Sequence, residues 1–188
     1  MTIVNALRPA VRTRALVFNA TAVIGGSIFI ALSAQISFFL PFSPVPVTGQ
    51  TFAVLLIGAL FGAKLGAAAV LAYLAEGAAG LPVFSAGGAT IAHLIGPSGG
   101  YLVGFVGAAW IVGALAERGW TAHPVTSAVA MIAGAAVYFA VGAAWLGLFV
   151  GAKNAVIAGV VPFLLGDALK IALVSIILPL ATRYVTRR

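Results

Sequence analysis

Apolar residues along this chain fall in long unbroken blocks, punctuated by Pro, Gly or charged residues. Six blocks predict membrane-crossing helices at about Leu16 to Leu40, Gln50 to Phe61, Leu65 to Gly80, Tyr101 to Ala116, Val125 to Phe149 and Pro162 to Tyr184. The blocks do not alternate as barrel strands do, so the expected fold is an all-α integral membrane protein. It forms a single domain over residues 1–188, a bundle of about six transmembrane helices with structured outer loops. The second and third blocks are short for an apolar bilayer core of about 30 Å, and a re-entrant hairpin there is the alternative. No internal repeat is visible.

Three connections, Pro41 to Gly49, Leu81 to Gly100 and Val150 to Val161, then share one side of the membrane and hold most of the prolines. In the first, closely spaced prolines forbid regular helix and stiffen the backbone. The second is longer than a passive link usually runs, which marks lids and binding segments, and a short helix is expected near Ala89 to Ile95.

Composition settles the solvent. With 63% hydrophobic and 7% charged residues, the chain needs lipid around it. The net charge of +7 sits mostly at the two ends, so membrane orientation explains it and nucleic acid is not an expected partner. A cytoplasmic N-terminus places Arg8, Arg12, Arg14, Lys64, Arg118, Arg183, Arg187 and Arg188 inside and leaves Lys153 as the outer loop cation. Both termini are then cytoplasmic. The apolar stretch after Arg14 is too long for a cleavable signal core, so it is expected to remain as the first span.

Asp167 and Lys170 are the strongest chemical clue. They sit one turn apart in an otherwise apolar final block, and a charged residue at a span's centre costs about 2.5–3.5 kcal/mol. Such residues face a protein interior and mark a ligand or ion path, or form an internal ion pair. Gln50 offers a donor and an acceptor at the start of the second span, and Ser85 is a lesser candidate within a Gly-rich turn. Ser27 and Ala31, like Gly58, Gly62 and Gly66, repeat at four-residue spacing, which serves close helix packing or docking of another membrane subunit. Glu76 lies near an outer helix end, within reach of headgroups. His93 and His123 fall in separate loops without Cys or carboxylate companions, so no metal site is expected. Three acidic residues and two histidines assemble no convincing nucleophile, base and orienting acid, so an enzyme is not expected. No Gly-x-x-x-x-Gly-Lys-Ser/Thr run is present, and an ATP-driven step would have to come from another chain.

The run Pro44-Val45-Pro46-Val47-Thr48-Gly49-Gln50, the segment Gly80 to Phe84, the segment Gly96-Pro97-Ser98-Gly99-Gly100-Tyr101-Leu102-Val103-Gly104-Phe105 and the pattern Pro162-Phe163 to Gly166-Asp167 and Lys170 together resemble the BioY family. That family comprises biotin-specific substrate-binding subunits of energy-coupling-factor (ECF) transporters. Gly49 and Ser98 depart slightly, standing where a bulkier apolar residue and Thr are common. The resemblance implies a six-helix subunit of a prokaryotic cytoplasmic (inner) membrane that takes biotin from outside. It also implies partners: a transmembrane coupling subunit and a pair of cytoplasmic ATPases that hydrolyse ATP, with no cofactor in this chain. Asp167 and Lys170 match the family's ligand-binding pair, Ser85 stands nearest a contributing polar residue, and Phe84 and Tyr101 would line the ligand's rings. Ser27 and Ala31 match the face that docks the coupling subunit. Two other functions are an autonomous ion-coupled transporter using Asp167 and a non-transporting scaffold subunit.

Overall fold

The computed structural model describes residues 2–7, 9 and 11–186. Arg8, Arg187 and Arg188, invoked above for orientation, lie outside the described residues. A short helix, α1 (Ile3–Leu7), precedes α2 (Arg12–Gln35), whose 24 residues cover about 36 Å at 1.5 Å per residue. Only one side of α2 is buried, through Gly26, Ser27, Ile30 and Ala34, while Ile24, Ile28 and Leu32 are exposed to the surroundings. An exposed apolar face is what a lipid-facing helix requires.

The first connection is not plain loop. Ser37–Phe38 (β1) pairs antiparallel with Val47–Thr48 (β2), Ser37 opposite Thr48, and Ser43 closes the turn by accepting from Val45 N–H and donating to Val45 O. The prolines between the strands need no ladder partner.

Among the described residues five helices are long and apolar enough to cross a membrane, and α3 (Gln50–Ala78) counts as one of them by length alone. It doubles back. Gln50 donates from its side-chain amide to the Tyr73 hydroxyl, whereas 23 residues of straight helix would hold the two about 34 Å apart. The reversal is at Gly62, with φ 84° and ψ 177°, a conformation essentially reserved for glycine. Beyond it Gly66 returns against Gly58, so that a Cβ on Gly66 would lie 3.0 Å from the Gly58 Cα. The hairpin tip meets Gly113 and Glu117 at the end of α5 (Gly99–Glu117), where the Glu117 carboxylate accepts from Ala63 N–H at 3.0 Å. The two arms thus cross the depth of a spanning helix, and the six expected segments are present as four long helices and one hairpin.

The long connection holds a 3₁₀ turn (Ser85–Gly87) and α4 (Thr90–Ile95), matching the short helix expected there. After α6 (Pro124–Val150), Gly151 breaks the helix at φ 81°, and the third connection folds into α7 (Ala152–Gly159) before α8 (Val161–Thr186). The core lies where α3, α5 and α6 meet, around Tyr73, Phe105, Val112, Met131 and Tyr138. Arg14, Lys64 and Arg118 fall at the end away from α4 and α7, near which Lys153 sits.

Candidate functional site

Asp167 and Lys170 point inward from the second and third turns of α8. Their ion pair is 3.0 Å long, and the side chains are only 6% and 22% exposed. Each charge also has partners on other elements. Lys170 Nζ donates to Thr48 O at 2.8 Å, to Thr51 Oγ1 at 2.7 Å and to Asp167 Oδ1 at 3.0 Å, using all three of its protons. Asp167 Oδ1 also accepts from Thr51 Oγ1 at 2.9 Å, and Oδ2 accepts from the Tyr138 hydroxyl at 2.5 Å. Thr51 thereby accepts from the ammonium and donates to the carboxylate at once.

The Pro-rich connection sets one corner of this cluster. The β1–β2 pairing holds Thr48 so that its carbonyl faces Lys170, and the Thr48 hydroxyl accepts from Gln50 N–H at 3.2 Å while donating to Gln50 Oε1 at 3.0 Å. Gln50 is buried at the start of the first hairpin arm with both ends of its amide engaged. Across from it Tyr101 donates to Gly159 O at 2.6 Å, tying α5 to α7.

Between these walls lies a cavity whose empty space, open mouth included, is about 500 Å³. Asp167, Lys170, Gln50, Thr51 and Tyr138 line one part of it, and Tyr101, Leu102, Phe105, Phe139 and Phe163 supply apolar wall. Ser85, His93 and Ser98 line it too, and these three also border an adjoining recess beside Phe39 and Pro44. Burial holds the His93 imidazole below its ordinary pKa. The arrangement can accept and donate hydrogen bonds at one end and enclose a flat apolar group in the middle.

Five of the six expected ligand residues, Asp167, Lys170, Ser85, Gln50 and Tyr101, border this cavity. Phe84 does not: fully buried, it meets Tyr73 edge-on at 5.5 Å and stacks on His93 at 5.0 Å, so it supports the wall from behind. Of the docking pair, Ser27 is corrected by the structure. It is fully buried and donates to Glu76 Oε1 at 2.7 Å, which also takes Glu76 away from a headgroup role, while Ala31 borders an apolar groove with Ile28 and Leu32. Thr51, Tyr138 and His93 were missed as site residues. The signal for Tyr138 was a phenol in mid-span, whose hydroxyl needs a partner once buried. Among the described residues no group of three or more His, Cys, Asp or Glu could hold a metal ion.

Residues 6–187 match the BioY family. The chain belongs to that family. Among its BioY relatives, the probable biotin transporter of Pyrococcus horikoshii is 40% identical over 154 residues, covering 80% of this chain and 90% of that protein. The biotin transporter of Thermotoga maritima is 40% identical over 152 residues, covering 79% and 86%. A crystal structure of the S-component for biotin from an ECF-type ABC transporter superposes with a TM-score of 0.83 at 26% identity, covering 93% of this chain and 95% of that one. This BioY chain is a multi-pass membrane protein with the S-component fold.

Proposed function

We propose that this chain captures biotin from outside the cell and delivers it across the membrane as the substrate-specific subunit of an ATP-driven ECF transporter. The observation that carries the reading is the neutral cluster of Asp167, Lys170, Thr51 and Tyr138 at one end of a largely apolar cavity. Biotin's ureido group brings two N–H donors and one carbonyl acceptor. Asp167 would accept from the ureido N–H groups and Lys170 would donate to the ureido carbonyl, exchanging internal bonds for ligand bonds of about 1.5–3 kcal/mol each. The fused rings fit among Tyr101, Phe105 and Phe163, and the acid tail runs toward Ser85, His93 and Ser98, where the recess begins.

The excess of cations at the end away from the cavity supports a cavity that opens outward, with both termini in the cytoplasm of a prokaryotic cell. With no phosphate-binding loop in the sequence, ATP is hydrolysed by a partner pair of ATPases, coupled through a transmembrane subunit. The Ala31 groove on α2 is the face offered to that subunit. The deciding experiment is calorimetry of the purified chain in detergent with biotin and with an analogue methylated at both ureido nitrogens. Biotin binds and the analogue does not; equal affinity for the two would remove Asp167 and Lys170 from ureido recognition.

A further inference from the structure

Residues 83–87, the segment that carries the cavity-lining Ser85, contain little regular structure beyond one 3₁₀ turn, and Ala86 within it sits at φ 53°. A residue with a Cβ stays in that left-handed region only where its surroundings hold it. Gln35, the last residue of α2, supplies such a hold from about fifty positions away in sequence. Its amide nitrogen lies 3.1 Å from Phe84 O, 3.4 Å from Val83 O and 3.2 Å from Ala31 O, and its carbonyl oxygen accepts from Gly87 N–H at 3.1 Å. These contacts bracket Ser85 on both sides. Ser85 is 7% exposed and lines the cavity, and its hydroxyl makes no hydrogen bond among the described residues. Gln35 is not part of that cavity wall; it borders the groove on the other flank of the segment, beside Ala31 and Leu81.

We propose that Gln35 is a positioning residue for ligand capture, clamping the backbone before and after Ser85 so that its free hydroxyl is held ready for the ligand. The inference rests on the reading of the cavity as the biotin site. An amide suits the task because it donates to the carbonyls of residues 83 and 84 and accepts from Gly87 with one side chain; a carboxylate lacks the donors and an aliphatic chain lacks both. Fixing the segment beforehand reduces the ordering that binding must otherwise impose, and so strengthens capture without a direct contact.

The test is a double-mutant cycle of Gln35→Met and Ser85→Ala, read as biotin affinity of the full chain in detergent, with amide hydrogen exchange on the ligand-free protein. Met keeps the volume and removes every hydrogen bond. The expected result is about fivefold weaker binding in Q35M, a similar loss in S85A, and less than about twofold further loss when Q35M is added to S85A. Exchange at the Gly87 amide is faster in Q35M without any ligand. An equal loss from Q35M in both backgrounds, or wild-type affinity in Q35M, overturns the proposal. If Q35M does not fold, Gln35→Leu, which likewise has neither donor nor acceptor, is judged by the same criteria. Failure of the wild type to bind biotin would sink the reading of the site, whereas unchanged Gly87 exchange in Q35M would sink the clamp alone.

Discussion

Removing the Asp167–Lys170 pair one partner at a time, and then together, separates a ligand site from an ion pair that only holds helices. Lys170→Met strands a carboxylate that is 6% exposed, leaving Thr51 and Tyr138 as its donors. Breaking a buried pair costs about 3–5 kcal/mol, and the 22% exposure of the Lys170 side chain puts this case near the lower figure, about 3 kcal/mol. For a chain of this size that lowers the unfolding midpoint by roughly 6–12 °C. Asp167→Asn strands the ammonium and has a comparable effect. The double variant carries no unpaired charge and recovers most of the lost stability, since replacing both partners is often neutral. Biotin binding does not recover with it. Losing two charge-assisted bonds of at least about 1.5 kcal/mol each weakens affinity by more than about 100-fold. The assays are thermal unfolding and calorimetry on the same detergent preparations. A double variant that is stable and still binds biotin near wild-type affinity would refute the reasoning, because the pair would then be scaffolding only.

Gly62→Ala forces a Cβ into a glycine conformation and against the Glu117 carboxylate, so it lowers stability by about 1–3 kcal/mol or prevents folding, as size-exclusion yield and thermal unfolding will show. Gly77→Ala pushes into the Phe84 ring, displacing the layer behind His93, and costs about 1–3 kcal/mol with weaker biotin binding by calorimetry. Burial lowers the His93 pKa below 6.5, so the unfolded chain takes up the proton first as pH falls. Stability present above that pH is therefore lost as pH drops through the folded value, and His93→Gln flattens the decline in melting temperature between about pH 7 and about pH 5. Ala31→Trp fills the α2 groove and blocks assembly with the coupling subunit in co-purification while leaving biotin affinity unchanged.

The apolar blocks made the bundle legible, and the ionic pair in the last block pointed to the cavity that it lines. Even the hairpin was visible as two blocks too short for ordinary spans, though the glycine that turns it was read only as a packing residue. Other features needed three-dimensional register. Tyr138 reads as one more apolar residue between Val137 and Phe139 until α6 is set against α8. Thr51 looks like a helix-start residue beside Gln50, and its double role depends on a lysine 119 positions away. Ser27 failed as a docking residue because α2 is apolar on every side, so its small-residue spacing carries no sign of which side faces in. The prolines of the first connection concealed a two-residue ladder, and Gly151 made eight helical residues of α7 look like loop.

Because the carboxylate and ammonium satisfy one another, the cavity presents no bare charge to the bilayer. An acyl chain that strays to the mouth has nothing with which to replace those internal bonds, so the surrounding lipid, by far the commonest molecule nearby, is a poor competitor. A visitor bringing donors and an acceptor together can replace those bonds, which lets a site immersed in grease tell its cargo from the lipid around it.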